Sequence, residues 1–271
     1  MFLMFYRRLS VVVSVILLCL ALSMVVEWPT EAWPIAALGS PLAARLFQAW
    51  LAAVLLTGMA CSGTVSILRL HPLAQKGQLS HTFVFWILPA LATLLAAVLL
   101  PRASSPIHAL GGLAGTGIAL PLIIAGEYRT IDPHAKGHQI ARLGLNFAAY
   151  AIALVLFTAI RQSRAHELLL ALATLGGSGL LALDLLYAAR QNLKQTGLHA
   201  LIVGLVMGEI VLALSHVRMS NLTAAILLLL IFYLGTGLAR QGLLGSLGRR
   251  VLIEFAAVAL IGLVLLLRYG P

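Results

Sequence analysis

Charged residues are scarce in this sequence. Only 10% of its 271 residues are Asp, Glu, Lys or Arg, while 61% are hydrophobic and the mean hydropathy is +1.03. Because soluble globular domains carry roughly 25% charged residues, this scarcity excludes a soluble globular protein. Apolar segments of about 20 residues, long enough to cross a hydrocarbon layer about 30 Å thick, recur along the chain. The composition predicts a multi-pass protein of the cell membrane.

Cysteine and familiar catalytic motifs are also scarce. Cys19 and Cys61 lie inside apolar runs without CxxC spacing, which argues against a disulfide or a thiolate metal site. The chain has no P-loop, no acidic motif of polyprenyl transferases and no Glu-Glu pair of intramembrane proteases. Its 18 Lys and Arg stand singly or in pairs between apolar runs. We therefore expect membrane lipids, and no nucleic acid, as partners.

Nine apolar runs predict an all-α transmembrane bundle that forms a single domain over residues 1–271. Twelve Lys and Arg fall on one side of the predicted spans and six on the other, which places the N-terminus in the cytoplasm and the C-terminus outside. The first span follows Arg7 and Arg8 and also resembles a secretory signal peptide, whose removal would leave eight spans. The predicted spans are 9–26, 42–68, 81–100, 107–125, 143–160, 166–189, 197–216, 221–239 and 251–268.

Three acids lie inside these spans, namely Asp184, Glu209 and Glu254. An ionisable side chain in hydrocarbon is costly, so each acid is a candidate catalytic or binding residue. Asp184 and Glu254 lie near predicted cytoplasmic span ends, where we expect ion pairs in an inner-leaflet polar cluster. The predicted cluster contains Glu127, Arg129, Asp132, Asp184, Arg190, Arg240 and Glu254.

Glu209 differs from the other two acids in its predicted depth. It lies about twelve residues into the seventh span, near the midplane, where it needs a proton, a hydrogen bond or a cavity. His216 follows two helical turns later on the same face, so the pair could form a substrate or proton path. Alternatively, a neutral Glu209 bonds to a neighbouring helix that approaches at Gly208. Both interpretations remain open.

The polar loop predicted at residues 126–138 contains ligand types for a metal ion. Asp132, His134 and His138 form only a weak motif, because Pro133 and Gly137 oppose a rigid helix that would converge them. We expect a polar turn and no metal. The remaining histidines lie near span ends, so no tetrapyrrole or other cofactor is expected.

Two further segments each allow a structural and a functional interpretation. Gly176-Gly-Ser-Gly179 is typical of close helix packing, and the alternative is a rhomboid-type nucleophile with His199. The doubled Trp-Pro segment at 27–34 is expected to anchor the first two spans at the membrane interface, and the alternative is a loop that caps a ligand.

Four short segments resemble an uncharacterised bacterial family of multi-pass membrane proteins. They are 126–133 (GEYRTIDP), 142–146 (RLGLN), 231–235 (IFYLG) and 253–255 (IEF). The resemblance is strongest from the fourth span onward and implies a location in the bacterial inner membrane. It implies no reaction.

Two functional classes remain. The first is a non-catalytic membrane subunit or scaffold, with other membrane subunits as possible partners. The second is a proton-coupled or small-solute carrier, or an intramembrane enzyme that acts on a lipid-like substrate through Glu209. Transporters often contain an internal repeat, and we find none, which favours the first class over a carrier; the missing enzyme motifs make catalysis the less favoured interpretation.

Overall fold

The structure is a computed structural model that describes residues 2–25, 41–75, 82–132, 137–163, 165–187, 192–217, 219–245 and 248–269. The described residues form α-helices and two short 3-10 turns, at Val84–Trp86 and Leu100–Arg102, and contain no strand. The helices are α1 (Phe2–Val25), α2 (Pro41–Leu68), α3 (Pro72–Gln75), α4 (Ile87–Leu99), α5 (Pro106–Thr130), α6 (His138–Gln162), α7 (Glu167–Tyr187), α8 (Leu193–Ser215), α9 (Asn221–Leu243) and α10 (Arg249–Tyr269).

The all-helical prediction is confirmed. Eight helices in the described part of the chain are long and apolar enough to cross a membrane, as expected for a multi-pass membrane protein. The ninth predicted span corresponds to α10, whose apolar stretch Ile253–Gly262 is shorter among the described side chains. The orientation of the spans stays a prediction.

Several predicted span boundaries are wrong because the helices continue into polar sequence. α1 begins at Phe2 and so contains Arg7 and Arg8, and α5 continues to Thr130. Residues 126–130 are therefore helical and do not belong to a loop. An apolar run marks only the hydrocarbon part of a span, whereas the helix extends into the interface. The predicted anchor at 27–34 lies outside the described residues.

The described residues group into two compact units, Met1–Leu145 and Asn146–Pro271. The boundary falls inside α6, which is a continuous helix. We call these groups unit one and unit two. The predicted single domain stays a prediction.

Unit one has an aliphatic core to which α1 contributes one face. Phe5, Leu9, Val13, Ile16 and Leu20 recur every three or four residues and are all buried, as expected for one side of a helix. Side chains from α2, α4 and α5 complete this core. Ser105 caps the start of α5 by accepting a hydrogen bond from the backbone N–H of His108, which satisfies one of the unpaired donors at a helix N-terminus.

Unit two depends on close contact between the backbones of α7 and α8. A Cβ atom at Gly204 would lie 2.7 Å from the carbonyl oxygen of Leu175, and a Cβ at Gly208 would lie 3.1 Å from that of Ala171. Gly179 of α7 lies opposite Gly204. Small residues let transmembrane helices approach closely, so that dispersion forces act between backbones where the hydrophobic effect is absent. The GxxxG pair on α8 therefore determines which face of α8 meets α7.

On the other side of α9, Phe255 of α10 packs against Gly237, and Leu230 packs against Gly262. Ser220 caps α9 by accepting a hydrogen bond from the N–H of Thr223. Gly245 follows the helix with a φ of 66°, a left-handed conformation that glycine adopts without strain. The two glycine contacts join α9 to α10, whereas Ser220 and Gly245 define the two ends of α9.

Replacing Gly204 with Ala should destabilise the protein, because the added methyl group meets backbone that cannot move aside like a flexible side chain. We expect a loss of about 1–3 kcal/mol, measured by unfolding in mixed detergent micelles. Gly197→Ala on the same helix is the matched control, since no atom lies within 4 Å of its Cβ position. The control should be neutral or stabilising by up to about 1 kcal/mol. Equal stability of the two variants would contradict the contact.

Candidate functional site

Glu209 lies on the exposed side of α8. Gly208, its neighbour, faces α7, and each residue turns a helix by about 100°. The α7 contact at Gly208 therefore directs the Glu209 side chain away from α7. The helix that approaches at Gly208 is α7, and Glu209 lies on a different side of α8, which disfavours a hydrogen bond between Glu209 and that helix.

The position of Glu209 along its helix also differs from the predicted one. α8 begins at Leu193, four residues before the predicted start at 197, and ends at Ser215. Glu209 thus lies six residues before the helix end, which corresponds to about 9 Å at 1.5 Å per residue. It is still within a candidate membrane span and not at the helix terminus.

A stripe of side chains, exposed except for the half-buried Leu212, includes Glu209 on α8. The exposed fractions are 58% for Leu198, 50% for Ile202 and 45% for Leu205, and His216 is exposed at the end of the helix. These residues recur with spacings of three and four, so they lie along one line on the helix surface. We call Leu198, Ile202, Leu205, Glu209, Leu212 and His216 the α8 stripe. The structure thus places Glu209 and His216 on one face, as predicted, and that face is exposed.

A groove runs between α8 and α9 beside this stripe. It has a volume of about 420 Å³, and its lining is aliphatic except for His199 at one end. Ile202 and Val206 belong to the groove wall, whereas Glu209 does not line it. The groove is therefore a neighbouring apolar surface and not a water-filled path to the carboxyl group.

Asp184 has a different environment from Glu209, because it is only 3% exposed. The contacts of Gly179 with Ala200, of Leu175 with Gly204 and of Ala171 with Gly208 define an antiparallel register between α7 and α8. In this register Asp184 is level with Thr196, which is fully buried on α8. The carboxyl group of Asp184 is thus enclosed at one end of the α7–α8 pair.

Unit two also contains a hydroxyl and aromatic cluster that we did not predict. The hydroxyl groups of Tyr150 and Thr236 lie 3.2 Å apart, and the Thr236 hydroxyl donates to the carbonyl oxygen of Phe232 at 2.8 Å. Because that hydroxyl already donates its proton, Tyr150 donates to Thr236. The Tyr233 ring packs on Tyr150 at 5.7 Å and on Phe255 at 6.4 Å.

This cluster could have been found from the neutral hydroxyl side chains inside apolar spans. A search restricted to charged residues leaves these hydroxyl groups out. The segments 231–235 and 253–255, which carried the family resemblance, supply Phe232, Tyr233 and Phe255. Two of the resembling segments therefore meet in space.

Unit one has its own polar cluster where α2 and α5 end. Glu127 is 1% exposed, and the adjacent Tyr128 ring contacts Phe5 at 4.4 Å and His71 at 4.9 Å. His71, which we did not predict, interacts electrostatically with Asp132. Its position after Arg69 at the end of an apolar run was the only sequence signal. Rings from α1, from α5 and from the turn after α2 thus meet at one end of unit one, and the residue that precedes Tyr128 is a buried acid.

The predicted inner-leaflet cluster is distributed over both units. Glu127, Arg129 and Asp132 belong to unit one, whereas Asp184, Arg240 and Glu254 belong to unit two. Arg190 lies outside the described residues, as does the metal candidate His134. In the part of the chain that the structure describes, no three His, Cys, Asp or Glu side chains come close enough to hold a metal ion.

Comparison with known protein families finds one match over most of the chain. The model of the family described as "Protein of unknown function (DUF5656)" matches residues 29–268. The chain belongs to this family. The expected membership of an uncharacterised family is confirmed, and the match is not restricted to the part from the fourth span onward but includes α2 and all later helices. No curated protein and no solved structure matches the chain.

Membership of the DUF5656 family assigns no reaction to these residues. The match includes the unit-one polar cluster apart from Phe5, the α8 stripe and the aromatic cluster of unit two. An argument about function must therefore start from the physical chemistry of these sites.

The His71 side chain lies outside the membrane spans, and its titration can be predicted. Burial lowers the pKa of His71 below its ordinary value of 6.5, and the carboxylate of Asp132 opposes this shift. The neutral imidazole therefore stabilises the folded protein above pH 6.5, and this contribution is lost as the pH falls through the lowered pKa.

Asp132→Asn should lower the pKa of His71 further, because it removes the opposing negative charge. The measurement is an NMR titration of the His71 ring in detergent-solubilised protein. Glu167→Gln, a change of an acid in unit two, is the control and should leave the titration as it is. A higher pKa in Asp132→Asn would contradict the predicted interaction.

Proposed function

We propose that this protein is a non-catalytic subunit of a membrane assembly and that the α8 stripe binds the α8 stripe of a second copy. The observation that carries this proposal is the exposure of Glu209 on a membrane-spanning helix. A charged side chain facing lipid costs about 2.5–3.5 kcal/mol on insertion scales. Covering the carboxyl group with a protein surface that offers a hydrogen bond removes much of this penalty.

The sequence of the stripe supports pairing between identical helices. Ile202, Glu209 and His216 occupy one heptad position, a, while Leu198, Leu205 and Leu212 occupy the other, d. An apolar a and d pattern with a β-branched residue at a and leucine at d favours two parallel helices. A polar residue at an a position inside the helix fixes the register of such a pair, and Glu209 has this position, whereas His216 follows the last helical residue.

The chemistry of two facing Glu209 side chains is complementary when they share one proton. Two copies with the same orientation in the bilayer present Glu209 at the same depth. A protonated carboxyl group can then donate a hydrogen bond to the carboxylate of the other copy, and close carboxyl pairs characteristically retain a proton in this way. The shared proton also removes one of the two charges from hydrocarbon.

The positions of Glu209 and His216 support a subunit over a carrier or an enzyme. A proton or solute path requires ionisable groups that face the protein interior or a water-filled cavity. Both side chains lie on the exposed face of α8, and the groove beside them is lined by aliphatic residues. A surface that is apolar, exposed and interrupted by one hydrogen-bonding group is suited to helix association.

Subunit counting by single-molecule photobleaching in lipid vesicles tests the proposal. We expect the wild-type protein to be dimeric at moderate dilution. Glu209→Leu should weaken the dimer by about 1–2 kcal/mol, the range found for polar contacts between model membrane helices, because the monomer no longer exposes a carboxyl group. Glu209→Gln should stay dimeric, since paired amides also exchange hydrogen bonds.

Glu167→Leu provides the matched control. It removes an exposed acid from the first residue of α7, outside the α8 stripe, and should leave the dimer unchanged. Wild-type protein that is monomeric at every protein-to-lipid ratio would overturn the proposed self-association, and so would a Glu209→Leu dimer as strong as the wild type. A monomer would instead favour a different membrane protein as the partner.

A further inference from the structure

The groove between α8 and α9 has the size and chemistry of a site for a long apolar chain. Its volume of about 420 Å³ falls within the roughly 300–1,000 Å³ of small-molecule sites. The side chains of Ile202 and Val206 form one wall, and those of Ile231, Leu234 and Leu238 form the other. Both walls belong to candidate membrane spans, whose apolar lengths match the hydrocarbon layer in which acyl chains lie.

Gly235 keeps this groove open. It lies on α9 opposite Val203, and a Cβ atom at this position would be 3.8 Å from the nearest Val203 methyl group. That separation is ordinary van der Waals contact, so the helices do not need a glycine here for their approach. The missing side chain leaves space in the groove itself.

His199 provides one polar group at an end of the groove. Its Nδ1 lies 2.8 Å from the carbonyl oxygen of Gln195, and since a carbonyl oxygen only accepts, Nδ1 carries the hydrogen. In the neutral ring Nε2 is then an acceptor. The contact with Gln195 also places the ring one turn toward the start of α8 at Leu193, close to the membrane interface.

We propose that the groove binds one acyl chain of a glycerophospholipid whose headgroup hydroxyl donates a hydrogen bond to Nε2 of His199. The imidazole lies at the end of the groove nearest the membrane interface, and the aliphatic walls extend from it toward the middle of the bilayer. A phospholipid has the same order of polar and apolar parts. The acceptor at Nε2 matches a hydroxyl donor, which phosphatidylglycerol carries and phosphatidylcholine lacks.

This lipid site adjoins the proposed dimer contact, and Ile202 belongs to both surfaces. Gly235 lies on α9 and does not contribute to the α8 stripe. A variant at Gly235 therefore tests lipid binding separately, while variants at Glu209 test the dimer.

The test uses delipidated protein in detergent, titrated with phosphatidylglycerol and analysed by native mass spectrometry. We expect the wild type to bind one lipid per chain saturably. Gly235→Leu should weaken this binding about tenfold or more, because its side chain occupies space that the acyl methylenes would fill. The matched control is Gly176→Leu on the exposed face of α7, where no atom lies within 4 Å of the Cβ position, and it should bind as the wild type does.

A comparison of two lipids tests the hydrogen bond between His199 and the headgroup. Wild-type protein should prefer phosphatidylglycerol to phosphatidylcholine by about fivefold, the effect of one hydrogen bond, and His199→Ala should remove this preference. His108→Ala, which changes an exposed histidine of unit one, should retain it.

Unchanged lipid binding in Gly235→Leu would overturn the groove as the lipid site, and equal losses in Gly235→Leu and Gly176→Leu would identify non-specific lipid. A smaller substitution, Gly235→Ala, keeps the test valid if the leucine variant does not fold, because its methyl group fits in ordinary contact with Val203. A preference retained in His199→Ala would overturn the headgroup contact. Unchanged lipid binding together with an altered subunit count in Gly235→Leu would identify protein as the occupant.

Discussion

The contact between the backbones of α7 and α8 is the interaction on which the rest of unit two depends. Gly204 and Gly208 have no side chains, so the carbonyl groups of Leu175 and Ala171 approach α8 directly. This approach leaves α8 with one rotational setting, because any other setting would place a bulky side chain against the α7 backbone. Since residues along a helix are related by about 100°, the setting that buries Gly208 exposes Glu209. The side chain of Glu209 is therefore directed outward because the adjacent Gly208 packs against α7.

The two units place their acids in different environments. In unit one Glu127 is buried near the end of α5, and the ring of the next residue, Tyr128, contacts Phe5 of α1 and His71. In unit two Asp184 is enclosed between α7 and α8, whereas Glu209 lies on the outer surface. The enclosed acids are covered by their own chain, whereas the acid on the exposed face of a candidate membrane span is not. This difference is the reason for separating Glu209 from the other acids in any account of function.

The helices could be predicted from sequence because membrane spans require long apolar runs, and nearly all of these runs are helical here. Their ends could not, because polar residues such as Arg7 and Glu127 continue a helix into the interface, where hydrophobicity no longer reports on structure. Glu209 could also be predicted to be a candidate functional residue, because it is an acid within an apolar run. Its exposure could not be read from hydrophobic periodicity, since side chains that face lipid and side chains that face protein are equally apolar. The GxxxG spacing of Gly204 and Gly208 was the available signal. It marks the face of α8 that packs against another helix, so the opposite face is the exposed one.

The α7–α8 contact also has a consequence for the order of assembly during synthesis. Its partners are separated by fewer than about forty residues, and contacts that are local in sequence form rapidly. The pair can therefore associate as a hairpin once α8 has entered the bilayer, before α9 and α10 have been made. The orientation of Glu209 would then be established at an early stage of biogenesis, and the later helices would be added to a surface that already presents it.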